Sequence, residues 1–286
     1  MKNAVEKFMN GLFFICGIVT IIAVLTISIY MIISGIPAIK EIGVWEFITG
    51  QVWKSTAAEP QFGILPFILT SVYGTLGAVL IGVPVGLMTA VFLSKLSGPK
   101  LSAAVNTAVE LLAGIPSVVY GLIGMIILVP AIMKTFGLKN GTGLLAAIIV
   151  LSIMILPSII SVSRMALNSV PPEYEEASYA LGATKIETIF KVSIPAAKSG
   201  IAAGIVLGIG RAIGEAMAVM MVAGNVANMP SLFKSVTFLT TAISKEMSYA
   251  AGLQRQALYS IALILFFFIM LINIILNVIL KRRSGQ

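Results

Sequence analysis

Six long apolar stretches divided by short polar breaks organise this 286-residue chain. They run from Phe8 to Ile39, Pro60 to Ser94, Leu101 to Met133, Asn140 to Ser163, Ser199 to Phe233 and Gln256 to Leu280. Each exceeds the roughly 20 residues a helix needs to cross about 30 Å of hydrocarbon. None alternates at the two-residue period of a barrel strand. The pattern predicts an all-α integral membrane protein with six transmembrane helices, at about 8–34, 64–93, 102–133, 143–164, 197–223 and 256–280. Residues 1–7 precede the first helix, 8–286 form one transmembrane domain, and 165–195 form a polar loop within it. The first stretch is longer than a signal-peptide core and ends in no small-x-small cleavage site, so it reads as a retained helix.

Composition agrees with a membrane protein: 58% of the residues are hydrophobic and only 10% are charged. With no histidine, no aspartate and one cysteine, Cys16, the inventory excludes a disulfide, a Cys/His metal site and a Ser/His or Cys/His catalytic pair. No metal or other cofactor is implied. The net charge of +8 is spread over the flanks of apolar segments, which fits membrane borders and not a nucleic-acid surface. Six crossings put both termini on one side, together with the loops at 94–102 and 164–198. That side carries 11 Lys and Arg against seven opposite, with the Lys281-Arg282-Arg283 cluster contributing most, so the termini are expected in the cytoplasm.

The polar loop contains "EYEEASYALGATKIETIFKVSIP", Glu173 to Pro195, with six charges. Pro171 and Pro172 can start a helix, and Glu173, Glu175 and Glu176 then fill the first turn, where the helix dipole favours negative charge. The predicted helix runs from Glu173 to Leu181. Gly182 supplies the positive φ of its end, Thr184 caps a second short helix, and Glu187 follows as the capping-box partner. Ala177, Ala180 and Leu181 form a small apolar face suited to a groove on another protein. A solvated hairpin with no partner is the plainer reading of the same charges.

This loop resembles the coupling loop of bacterial ABC importer permeases, whose pattern is Glu-Ala-Ala, a spaced Gly, then Ile-x-Leu-Pro. It matches at Glu176, Ala177, Ser178, Gly182, Val192, Ile194 and Pro195, with Ser for the second Ala and conservative changes at the two aliphatics. In that family the loop docks into a cleft of a separate cytoplasmic ATPase. No Gly-Lys dipeptide occurs in the chain, so it can carry no Walker A loop of its own. The segments "ELLAGIPSVVYGLIGM" from Glu110, "ILPSIISVSRMALNSVPPEYEEASYALGA" from Ile155 and "GIGRAIGEAMAVMMVAGN" from Gly208 narrow the likeness. They resemble phosphate-specific ABC importer permeases, the PstC-type subunit more than the PstA-type, and the match covers about Phe62 to Asn273. The resemblance implies a type I (MetI-like) permease fold in the cell membrane, forming half of a phosphate pathway and catalysing no bond chemistry itself. It further implies a second permease (PstA-type, or a second copy), a PstB-type ATPase dimer and a PstS-type extracytoplasmic binding protein. A permease for molybdate or sulfate, or a passive anion channel, stays open as an alternative.

Charges inside apolar segments are candidates for the path. Arg211 and Glu215 lie four residues apart in the fifth segment, so a continuous helix would project both from one face. Ionisable groups at such depth are costly and face a partner or a water-filled path. An internal ion pair that fixes packing and an anion route both fit these residues. The resemblance favours the route, with Glu215 holding Arg211 at rest until phosphate competes for the guanidinium. Glu110 is a second buried-charge candidate. Gly114, Pro116 and Ser117 mark either a true helix break, whose second half would present N–H groups to an anion, or an ordinary proline kink. Outside, Trp45, Phe47 and Trp53 read as an interfacial helix or a docking surface, and 224–255 is long enough to dip back into the membrane without clearly crossing it.

Overall fold

A computed structural model describes residues 2–284 of the chain, with side chains described for 6–275 and 278. The basic side chains of Lys2, Lys281, Arg282 and Arg283, counted above, lie outside the described residues. Helix α1, Lys2–Ile42, outruns its predicted span at both ends. The extension follows from packing: Gly35 lies against the backbone of Tyr259 and Ser260 in the last helix, and Ser260 Oγ donates to the Gly35 carbonyl at 2.6 Å. A short α2, Val44–Thr49, leads to a hairpin of β1, Trp53–Lys54, paired antiparallel with β2, Gln61–Phe62. Helix α3, Leu65–Val91, continues through a π-turn at Phe92–Leu96.

The third predicted helix is two pieces. Helix α4 is Pro99–Gly114, and after Ile115 and Pro116 the chain restarts as α5, Ser117–Ile123, passing through a π-turn at Gly124–Leu128 into α6, Val129–Phe136. Helix α7, Leu144–Asn168, keeps Pro157 inside it. The polar loop holds α8, Pro172–Ala180, and α9, Lys185–Thr188, then a π-turn at Ile189–Ser193 and α10, Ile194–Ala196. The fifth predicted helix is also divided, into α11, Lys198–Gly214, and α12, Met217–Val222. Helix α13, Leu239–Glu246, and α14, Gly252–Ser284, complete the chain.

Among the described residues, five helices are long and apolar enough to cross a membrane. A sixth crossing is reached when α11 and the loop helices before it, which meet at a bend of 72°, are taken as one span. The segment 224–255 adds no further crossing, because α13 has eight residues and spans only about 12 Å. Helix α7 is the central post: α3 and α11 pack along it, and Leu151, Met154, Ile155 and Ile159 are fully enclosed. Helix α1 buries none of its apolar span within the chain and attaches along α14. The expected interfacial aromatic group is reduced to Trp45, which is 79% exposed. Phe47 is buried, and the hairpin turns Trp53 inward between Phe62 and Phe67, where its indole N–H donates to Glu246 at 3.1 Å.

Helices α5 and α12 meet at Gly121. A Cβ built there would stand 2.9 Å from both the Cα and the carbonyl oxygen of Ala218, closer than a backbone can yield. Gly121→Val is expected to destabilise the protein by about 1–3 kcal/mol through this overpacking. A thermal scan in detergent should show a lowered midpoint, while Gly114→Ala, at a position with open space around it, leaves the midpoint nearly unchanged.

Candidate functional site

Two of the predicted helices are divided by a short extended segment, and a sequence cause is evident only at the first. At the first, Pro116 has no N–H and pushes the preceding residue out of the α region, so Ile115 (ψ 127°) and Pro116 (ψ 141°) are extended. The reading of Gly114, Pro116 and Ser117 as a true break is therefore the observed one. At the second, Glu215 (ψ 128°) is extended after Gly214, and α12 begins at Met217. The groups freed by the breaks are satisfied locally. Ala218 N–H donates to Glu215 Oε1 at 2.9 Å, Thr240 Oγ1 donates to the Glu215 carbonyl at 2.7 Å, and Tyr120 Oη donates to the Leu112 carbonyl at 2.7 Å.

The break corrects the expected geometry of Arg211 and Glu215. They do not share one helix face, because the backbone leaves the helix at Glu215, and its carboxylate is committed to the start of α12. Among the described residues the ion pairs are Lys95–Glu175 and Lys191–Glu187, and Arg211 belongs to neither. The expected resting pair is thus absent. Arg211 is half-buried in the last turn of α11 and lines a cleft of about 760 Å³ with Ser158 of α7, Ser199, Ala203 and Gly210 of α11, and Asn273 of α14. Tyr120 lies within electrostatic reach of its guanidinium.

Glu110, Ser117 and Glu215 do not line this cleft. Glu110 is exposed within the chain, which corrects the expectation of a buried charge. It accepts from Asn106 Nδ2 at 2.5 Å, Asn106 Oδ1 accepts from Arg164 Nη1, and Arg164 Nη2 reaches Ser102 Oγ at 3.2 Å. Glu110 thereby ends a polar chain that ties α4 to α7. Ser117 is half-buried at the start of α5.

The polar loop folds as its residues predict. Helix α8 starts one residue earlier than expected, Gly182 has φ 86°, and Thr184 and Glu187 form both bonds of the capping box. The Thr184 backbone N–H and hydroxyl, with the nearby Lys191 ammonium, hold the Glu187 carboxyl below the ordinary carboxylate range. Glu176, Ala177, Gly182 and Pro195 are exposed, Ser178 and Ile194 are half-buried, and Leu181 stands 90% exposed beside the glycine turn. An apolar side chain is thus left open beside a capped turn. Sequence reasoning passed over the tie that steadies the loop, Glu175 to Lys95 at 2.6 Å. Glu175 was legible only as a first-turn acid, and no local pattern connects it to a lysine at the end of α3.

The chain thus combines two broken apolar helices, a cleft lined by Arg211 between α7, α11 and α14, and a capped polar loop within a bundle of membrane-length helices. The model of a family described as the binding-protein-dependent transport system inner membrane component matches residues 82–285, and the chain belongs to that family. It is 39% identical over 267 residues to the probable ABC transporter permease protein YqgH of Bacillus subtilis (strain 168), covering 90% of this chain and 86% of that protein. It is 34% identical to the phosphate transport system permease protein PstC of Pasteurella multocida (strain Pm70), covering 84% and 83% of the two chains. The inward-facing MetNI methionine ABC transporter shares the fold, with a TM-score of 0.62 at 21% identity over 77% of this chain and 95% of that chain. So does a bacterial alginate ABC transporter, with a TM-score of 0.63 at 18% identity over 96% and 93%.

The second break gives a direct test. Glu215→Ala leaves the Ala218 N–H without its carboxylate and is expected to cost about 1 kcal/mol, as loss of a helix cap does. Glu215→Gln keeps an acceptor and should lose less than half of that. Thermal unfolding of the two variants in detergent checks the order.

Proposed function

We propose that this chain forms one half of the translocation pathway of an ATP-driven importer of inorganic phosphate. The observation that carries the reading is the Arg211 guanidinium, set among neutral polar and apolar groups in a cleft, with no carboxylate paired to it among the described residues. A half-buried cation without a counter-ion is costly, and an anion arriving in the cleft relieves that cost. The planar guanidinium offers five donors in a fork that suits a tetrahedral oxyanion. The names of the PstC relatives, which are phosphate transport permeases, support phosphate as the cargo.

The lining residues Ser199 to Arg211 extend along about 18 Å of α11. Ser199 also borders a second cleft, shared with Pro171 and Tyr174 at the root of α8. The anion site and the loop are therefore joined along one helix. In this reading a PstB-type ATPase dimer in the cytoplasm docks on the residues around Glu176, Ala177, Ser178 and Gly182. Ile194 and Pro195 turn the chain back towards α11. Both termini are cytoplasmic, a PstS-type binding protein delivers phosphate at the outer face formed by the β1–β2 hairpin and α13, and a PstA-type permease or a second copy completes the path. Lipid meets α1. The bond chemistry belongs to the ATPase, and this chain performs none.

Arg211→Lys keeps the charge and loses the fork. In proteoliposomes holding the complete complex, its phosphate uptake should fall at least about tenfold, the size of one lost charged hydrogen-bonding arrangement. Uptake at the normal rate, with ATP use unchanged, would remove Arg211 from the path.

A further inference from the structure

Helix α8 buries no side chain, so no apolar core fixes it to the membrane domain. Polar bonds hold it. Lys95 Nζ lies 2.6 Å from Glu175 Oε1, Ser193 Oγ donates to the same oxygen at 2.8 Å, and the hydroxyls of Ser178 and Thr188 are 2.9 Å apart. Lys95 belongs to the π-turn that ends α3, and Ser193 to the π-turn that leads into α11. Such turns insert an extra residue into a helix and occur often at functional positions. Glu175 is therefore a three-way joint among α8, α3 and the segment returning to α11.

What lies behind Lys95 is a braced block. Ser94 Oγ donates to Asn168 Oδ1 at 2.5 Å, Ser102 Oγ donates to the Leu93 carbonyl at 3.1 Å, and Arg164 reaches Ser102 and Asn106. These bonds tie the inner ends of α3, α4 and α7 together. Helix α11 is reached differently, through the chain itself at the 72° bend. A push on α8 that travelled only through the chain would reach the α3–α7 block indirectly, by way of α11, which packs along α7.

We propose that the Lys95–Glu175 pair is a coupling latch, which makes α8 and the inner end of α3 move as one body during each ATP cycle. Displacement of the docking loop then reaches both walls of the path, the α3–α7 block and the α11 that carries Arg211. The proposal rests on the reading of this loop as the ATPase dock. The pair suits the task because its side chains are only 14% and 21% exposed, so water screens it less than an open surface pair. Ser193 also satisfies the carboxylate, as a shielded ion pair requires. Partial burial pushes the Glu175 carboxyl up, but the bonds from Lys95 and Ser193 and the charges of Lys95 and Lys185 outweigh it and hold it below the ordinary carboxylate range. A depressed folded pKa means that the attraction is fully present above the unfolded value and is lost only as pH falls through the folded one. The latch is thus closed throughout neutral pH.

The test uses the complete complex, with ATPase, second permease and binding protein, in proteoliposomes. Lys95→Met, Lys95→Glu and Glu175→Lys should each raise the ATP hydrolysed per phosphate imported by about tenfold, within the usual range of coupling between sites. The exchanged double variant, Lys95→Glu with Glu175→Lys, should return to within about twofold of the parent ratio, which a general loss of folding would not allow. In a Cys16→Ser background, spin labels at the exposed positions Glu173 and Leu96 report the distance from α8 to α3 with and without ATP and vanadate. That distance should stay constant with the latch present and change in Lys95→Met. An unchanged ratio in Lys95→Met, a double variant no better than the single ones, or a distance indifferent to Lys95 would each overturn the latch. The distance measurement needs no cargo, so a parent complex that hydrolyses ATP without importing phosphate would sink the phosphate assignment and leave the latch to be judged on the distances.

Discussion

A bilayer offers no hydrogen-bond partner to a backbone group released inside it, so a crossing helix can stop only where protein takes water's place. This chain breaks two of its apolar helices, at Ile115–Pro116 and at Glu215–Ala216, and the structure is arranged around covering those breaks. Glu215 takes the Ala218 N–H on its carboxylate and the Thr240 hydroxyl on its carbonyl, and Tyr120 covers the Leu112 carbonyl. The half-helices α5 and α12 can approach closely enough to shield both breaks because Gly121 has no side chain. Glu215 serves its own backbone break, and among the described residues it forms no ion pair with Arg211.

The same division runs through the rest of the molecule. Helix α7 and its two neighbours form an apolar body with long, interlocked contacts; the end of the loop joins that body through Ile189 and Ala197, whereas α8 buries no side chain and is held by side-chain bonds. A transport cycle needs this contrast. Cores do not deform continuously, so movement is carried by rigid elements turning at a few joints. The bend at Ala197 and the breaks at Ile115 and Glu215 are where the backbone leaves regular helix and such joints can form.

Much of this was legible in the chain. The six apolar stretches, the helix from about Glu173, the positive φ of Gly182 and the Thr184–Glu187 capping box follow from local rules that need only neighbouring residues. Pro116 announced its own break, although a kink fitted it as well, because a proline removes a donor in either case and only packing decides whether the helix resumes in line. The second break had no such marker. Gly214 and Glu215 sit in an unbroken apolar run, and the Thr240 hydroxyl that donates to the Glu215 carbonyl at the break comes from α13, far along the chain. Glu110 differs from the expected buried charge for a related reason: hydropathy places it inside a stretch, whereas within this chain it is exposed on α4 and accepts from Asn106 one turn earlier on the same helix. Lys95 and Glu175 were visible as charges but not as a pair.

The central claim is that the Arg211 cleft carries an anion inward only when a separate ATPase drives the loop. Labelled phosphate uptake by the reconstituted complex, measured with the parent ATPase and with one whose hydrolysis is disabled, tests that claim most directly. Phosphate should accumulate in the first case, ahead of molybdate and sulfate supplied at equal concentration, and should stop in the second. Uptake that continued with the disabled ATPase would identify a passive channel and contradict the account.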